Sequence, residues 1–128
     1  MKYLLDTHVV LWFLNGEKTH LSNTAKNIIE DQRNIKFVSL ASIWEVGIKI
    51  GIGKLEFPGN TSGFVKQIEN NGFKFLPITT DDIITIEQLP HIHKDPFDRL
   101  LIATALAEQM TLITDDDNVA RYDVPIIW

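Results

Sequence analysis

Apolar residues along this chain fall into short runs of two kinds, and their alternation predicts the fold. Tyr3-Leu4-Leu5 is a brief run ending at Asp6 and reads as a buried strand. Residues 9–14 then read as a helix stopped by Asn15-Gly16. Ser22 stands as the N-cap of a second helix whose apolar face is Ala25, Ile28 and Ile29. Lys36-Phe37-Val38 predicts a strand, and the segment from about Leu40 to Ile50 a helix. Gly51, Gly53, Pro58 and Gly59 mark a loop, after which Phe64, Val65 and Ile68 predict a short helix ending near Asn70-Asn71-Gly72. Residues 73–78 resemble a strand, and Thr80 or Asp81 is placed to cap a helix reaching Leu89. Residues 90–95 are loop, 96–109 a helix, Leu112-Ile113-Thr114 a strand, 118–122 a short helix and Ile126-Ile127 a terminal strand.

Strands that alternate with helices in this way predict an α/β fold around a mostly parallel central sheet. No repeat, low-complexity tract or linker interrupts the 128 residues, so a single domain over residues 1–128 is expected, long enough to bury a core unaided. Hydrophobic residues at 45% and charged residues at 23% exclude a disordered chain. The absence of cysteine excludes a disulfide framework and every thiolate metal site, and fits a reducing compartment. Charges at Lys2 and Asp6 come too early for a secretory leader, and residues 9–14 are too few to cross a bilayer. A cytoplasmic protein without a membrane segment is expected.

A net charge of −5 counts against a nucleic-acid binder, because phosphate contacts usually demand Lys and Arg. An acidic site that loads cations escapes this objection, since the loaded pocket attracts phosphate. Four regions supply acids. Asp6 directly follows a strand, where α/β sheets bind ligands, yet it is equally placed to cap the next helix. Glu45 lies beside the apolar stripe of a helix that is apolar over most of its circumference and so expected to be largely buried. A carboxylate there needs either a metal or a partner such as Lys49 at i+4.

Asp95-Pro96 reads as an N-cap followed by proline at the first helical position, so capping explains Asp95. Asp98 shares the stripe of Leu101, Ile102 and Ala105, which aims it into the cleft between helix and sheet. Asp115, Asp116 and Asp117 follow a strand together, and one of them can enter the same cleft. Arg99 is a phosphate contact or a surface ion-pair residue, Thr114 a carboxylate partner or a cap, and His91 and His93 stay outside the proposed site. Trp12, Trp44 and Trp128 are core or oligomer contacts. Converging carboxylates repel one another, and a hard cation such as Mg2+ or Mn2+ removes that cost. The chemistry this suits is hydrolysis of a phosphodiester.

Leu4-Leu5-Asp6-Thr7, Glu45 in its helix, Asp98-Arg99-Leu100-Leu101-Ile102-Ala103-Thr104-Ala105 and Leu112-Ile113-Thr114-Asp115-Asp116, in that order, resemble PIN domains over essentially the whole chain. The pattern is most similar to VapC-type toxins of bacterial toxin–antitoxin pairs, including a subgroup with His-x-Asp-Pro-Phe-Asp-Arg, here residues 93–99. The resemblance implies a three-layer α/β/α fold, magnesium-dependent endoribonuclease activity on RNA, a cognate antitoxin partner and a homodimer. It also implies an antitoxin segment, basic or aromatic, lying across the toxin's groove, which an acidic chain suits. Carried over by position, it places the catalytic and metal-binding set at Asp6, Glu45, Asp98 and Asp116, with Thr114 as the threonine of a Thr-x-Asp pattern. Two other readings stand beside it. One is a non-catalytic RNA- or protein-binding module with the same fold. The other is aspartyl phosphoryl transfer at Asp6, which is disfavoured because His8 stands where a second aspartate is usual.

Overall fold

In the computed structural model, which describes Met1–Trp128, Tyr3 and Leu5 enter one apolar core while Leu4 enters another. Ile113 and Leu112 divide in the same way. This period-two split is what a strand buried on both sides requires. The strands are β1 (Lys2–Leu5), β2 (Ile35–Ser39), β3 (Lys74–Leu76), β4 (Thr111–Ile113) and β5 (Ile126–Ile127). They form one five-stranded sheet in the order β3-β2-β1-β4-β5, and every pairing is parallel. The helices are α1 (Thr7–Leu14), α2 (Asn23–Glu30), α3 (Leu40–Gly51), α4 (Asn60–Asn70), α5 (Thr80–Gln88) and α6 (Pro96–Ala107), with 3-10 turns at Lys18–His20 and Val119–Arg121.

The first core joins α1, α2, α3 and α4 to the sheet through Val10, Ile29, Val46 and Phe64. The second joins the opposite face to α6 and the chain beyond β4 through Leu101, Ile102, Val119 and Tyr122. Helices thus cover both faces, and the expected three-layer α/β/α architecture holds. The chain steps outward from β1 to β2 and β3, then crosses back to lay β4 on the other side of β1. That reversal opens a crevice between the carboxyl ends of β1 and β4, the place where such sheets bind ligands.

Several local expectations shift. The cap of α5 is Thr79, one residue before Thr80 and two before Asp81, because Thr79 and Asp82 form a reciprocal capping box: Asp82 N–H donates to Thr79 Oγ1 at 3.2 Å and Thr79 N–H to Asp82 Oδ2 at 3.0 Å. Strand β3 is shorter than residues 73–78, as befits a sheet edge with one neighbour. The segment expected as a short helix at 118–122 is a single 3-10 turn. Helix α3 is not largely buried. Leu40, Trp44 and Ile48, at four-residue spacing, form an exposed stripe, with Trp44 59% exposed and its ring edge-on to Phe97. Trp12 and Trp128, by contrast, pack together against the first core.

Gly63 in α4 marks a close approach, since a Cβ there would stand 2.0 Å from the Pro58 carbonyl oxygen. Gly63→Ala is therefore expected to lose roughly 1–3 kcal/mol of stability by overpacking. Gly51→Ala, where nothing lies within 4 Å, should be neutral or gain less than about 1 kcal/mol. Denaturant unfolding of the two variants checks this, and equal stabilities would contradict the contact.

Candidate active site at the switch point of the sheet

Asp6 leaves β1 at the crevice and occupies the N-cap position of α1, but its side chain makes no cap hydrogen bond. It accepts instead from the Thr114 hydroxyl, Oγ1 to Oδ2, at 2.7 Å. Of the two roles open to Asp6 in the sequence, capping is thereby excluded. The carboxylate is 5% exposed, and burial raises its pKa above the ordinary value, opposed chiefly by the Thr114 hydrogen bond. Thr7, the next residue, donates from Oγ1 to Ser42 Oγ of α3 at 2.7 Å and fixes α3 against the start of α1.

Thr114 also accepts from Asp116 N–H at 3.1 Å, which bends the chain after β4 and carries Asp116 toward Asp6. Among the three consecutive acids, Asp115 and Asp117 are exposed and Asp116 is half-buried. Asp116 Oδ1 accepts from Asn118 N–H at 2.8 Å and Val119 N–H at 3.1 Å, so one oxygen organises the 3-10 turn. Of the two roles open to Thr114 in the sequence, it takes that of carboxylate partner, and its bond to Asp116 N–H closes a turn rather than capping a helix.

Asp98 arrives from the opposite layer, on the first turn of α6. Asp95 caps that helix, as its sequence context implies, its Oδ1 accepting from Phe97 N–H at 2.9 Å and Asp98 N–H at 3.1 Å. The Asp98 side chain is 18% exposed, and burial pushes its carboxyl up to about 6. A hydrogen bond from His93 works the other way, while the charges of Asp95, Asp6 and Asp116 add to the rise. Asp6, Asp98 and Asp116 thus lie within electrostatic reach of one another. Glu45 is buried on α3, one turn beyond Ser42, and its Oε2 is bound by Lys49 Nζ at 2.9 Å. The ion pair weighed for Glu45 from the sequence is present.

Two residues behave differently from their sequence readings. Arg99 is neither on the surface nor poised for phosphate: it is buried, donating from Nη1 to the Pro90 carbonyl at 2.8 Å and to the Tyr122 hydroxyl at 3.0 Å. His93, left outside the proposed site, sits 3.1 Å from Asp98 Oδ2 through Nε2 and 2.7 Å from the Tyr122 hydroxyl through Nδ1. The available signal was its loop, which runs directly into the first turn carrying Asp98. A groove of about 270 Å³ runs between α1 and α3, lined among others by Thr7, His8, Trp12, Lys49 and Lys54, and none of the four acids lines it. It shares Asn15 and Leu55 with a larger cavity of about 810 Å³.

The side chains form no compact group of three His, Asp or Glu donors that would close around a bare ion. Their chemistry nonetheless fits one class of cation. Hard oxygen donors suit Mg2+, which keeps several of its waters and needs only one or two carboxylates directly. The like charges of Asp95, Asp6 and Asp116, which add to the rise that burial causes at Asp98, are also what a cation would relieve.

The fold is that of an α/β protein with acids at the switch point of a parallel sheet. The PIN-domain family model matches residues 3–125, and the chain belongs to that family. No curated protein matches it in sequence. Among solved structures, it resembles a chain of VapBC2 from Rickettsia felis, bound to a DNA fragment from its promoter, with TM-score 0.76 and 16% identity, covering 100% of this chain and 99% of that chain. DNA-bound VapBC from Salmonella typhimurium gives TM-score 0.71 at 16% identity, over 99% of this chain and 97% of that chain. VapBC-5 from Mycobacterium tuberculosis, of the VapBC family of toxin–antitoxin systems, gives 0.62 at 17% identity, over 98% and 97%. At such identities the likeness is one of fold.

A carboxyl titrating at about 6 in the fold and near 3.8 in the open chain holds its proton more tightly when folded. Its contribution therefore favours the folded state in acid and is lost as pH rises through about 6. In chelator at neutral pH, Asp98→Asn is expected to be more stable than the parent by roughly 1–2 kcal/mol, because the amide keeps an acceptor for His93 and sheds the charge. The gain should shrink as pH falls toward 4. Thermal melts across that range check it; a pH-independent difference would show that desolvation of Asp98 is not its source.

Proposed function

We propose that the chain is a divalent-metal-dependent endoribonuclease that hydrolyses RNA phosphodiesters, acting as the toxin of a toxin–antitoxin pair in the cytoplasm. The observation that carries this reading is that Asp6 and Asp116, which follow two adjacent parallel strands, and Asp98, on the first turn of α6, come from three distant segments yet act on one another's charge. Mg2+ or Mn2+ would be held by Asp6, Asp98 and Asp116, joined by Glu45 in place of its Lys49 partner. When bound, the cation supplies positive charge at the phosphate and acidifies a water molecule for attack.

The chain's own residues do the rest. Thr114 holds Asp6 by one oxygen and fixes Asp116 through its backbone, so two of the acids move as one unit. The groove between α1 and α3 carries Lys49 and Lys54 together with Glu17, and the two ammonium groups would suit a phosphodiester backbone in an otherwise acidic protein. Membership of the PIN family and the fold shared with VapBC chains support the toxin reading and, with it, an antitoxin partner. The exposed stripe of α3 and Ile83 and Ile84 on α5 supply apolar surface for protein contacts, including a homodimer. No helix is long and apolar enough to cross a membrane.

The open arrangement of the acids favours one competing reading, a PIN fold that binds RNA or protein without turnover. A single series separates the two. Purified chain is incubated with RNA in Mg2+, Mn2+ or excess chelator, alongside Asp6→Asn, Asp98→Asn and Glu45→Gln, and the new RNA ends are sequenced. Discrete ends in metal, lost on chelation and reduced roughly a hundredfold or more in the two aspartate variants, are expected. A smaller loss in Glu45→Gln would make Glu45 chiefly the partner of Lys49. Full activity in chelator or in Asp6→Asn would remove the nuclease assignment, and RNA retained intact in saturating Mn2+ would favour the binding module.

A further inference from the structure

We propose that His93 is a positioning residue for Asp98, locked by Tyr122 and Arg99 as the tautomer that carries its proton on Nε2. The lock follows from counting hydrogen-bond capacity. A tyrosine hydroxyl offers one hydrogen and two lone pairs. At Tyr122 both lone pairs are taken by groups that can only donate: Arg99 Nη1–H at 3.0 Å and the His93 backbone N–H at 3.3 Å. Its hydrogen is left for one neighbour, His93 Nδ1 at 2.7 Å. Nδ1 must then accept, the ring's proton resides on Nε2, and Nε2–H donates to Asp98 Oδ2 at 3.1 Å. A ring protonated on Nδ1 would demand a third lone pair and strand the hydroxyl hydrogen.

The chain of bonds closes on itself, because Arg99 and Asp98 are consecutive on the first turn of α6. Arg99 is anchored separately by the Pro90 carbonyl at 2.8 Å, and Tyr122 is packed in the second core. Tyr122 also ends the 3-10 turn whose backbone Asp116 organises, so the brace ties Asp98 to the segment carrying Asp116. With Oδ2 committed to His93, Asp98 has Oδ1 to turn toward the cleft. The consequence for a cation rests on the nuclease reading above; the tautomer does not.

Long-range proton–nitrogen NMR of the His93 ring, well above the pH at which histidine protonates, reads the tautomer directly. Nε2–H is expected in the parent chain and a mixture of tautomers in Tyr122→Phe, which keeps the buried ring but loses the lock. A parent ring protonated on Nδ1 overturns the proposal. Mn2+ binding, followed by the electron paramagnetic resonance of the free ion, is expected to weaken 10–100-fold in His93→Leu. His93→Gln, whose amide can donate from near the Nε2 position, should recover most of that loss. Melting curves establish that each variant is folded. Binding in folded His93→Leu equal to the parent also overturns the proposal. RNA cleavage then separates the two readings: a parent that shows the tautomer and binding pattern but leaves RNA intact removes the nuclease alone. Cleavage at unchanged kcat in His93→Leu removes the positioning role alone.

Discussion

The Thr114 hydroxyl donates to the Asp6 carboxylate across 108 residues of sequence, at 2.7 Å and out of contact with water. A carboxylate taken out of solvent costs several kcal/mol unless it is compensated, and a hydrogen bond to a charged group returns roughly 1.5–3 kcal/mol. Asp6 can therefore occupy the end of β1 only because β4 lies beside it in register, with Leu5 opposite Ile113. Thr114 is the first residue beyond that ladder. The sheet order and the acid are one constraint: a chain that laid another strand against this edge of β1 would bury Asp6 without a partner.

From that contact the arrangement propagates. Thr114 passes its second hydrogen-bonding capacity to Asp116 N–H, and Asp116 in turn organises the 3-10 turn leading to Tyr122. Tyr122 reaches His93 and Arg99, and through them the first turn of α6. A path of side chains thus runs from the central strand to Asp98 in the opposite layer. Burial and like charge would otherwise push these acids apart, and Asp98 registers the tension directly in its raised pKa. The site is held by groups that do not themselves carry negative charge, namely a threonine, a tyrosine, a histidine and a buried arginine.

What the sequence made legible were features written in local periodicity. The short apolar run Tyr3-Leu4-Leu5 and the strand–helix alternation were sufficient for the parallel sheet, and the helical stripe from Asp98 to Ala105 for aiming that acid between helix and sheet. The cap at Asp95 was legible because capping is decided within three residues. Where two local roles competed, as at Asp6 and Glu45, the outcome depended on partners no window contains. Asp6 found Thr114 and gave up capping, whereas Glu45 kept the i+4 lysine. Arg99 and His93 were misplaced for the same reason, since both are fixed by Tyr122, 23 and 29 residues away. The exposed stripe of α3 was hidden by composition, because an apolar helix does not announce which of its faces lacks a neighbour.

The division of labour between the two layers explains why the acids stay apart from one another yet share a field. Asp6 and Asp116 are fixed to the sheet, while Asp98 rides on α6, which packs on the sheet through apolar side chains, and its carboxylate is held by the Tyr122 brace. Any displacement of α6 relative to β4 changes the distance between Asp98 and the other two without breaking a backbone hydrogen bond within the sheet. Electrostatic repulsion favours the wider spacing when the cleft holds only carboxylates, and a divalent cation would favour the narrower one. The same charges that destabilise the empty cleft would thus set its response to a cation, and the brace limits how far α6 can yield to either force.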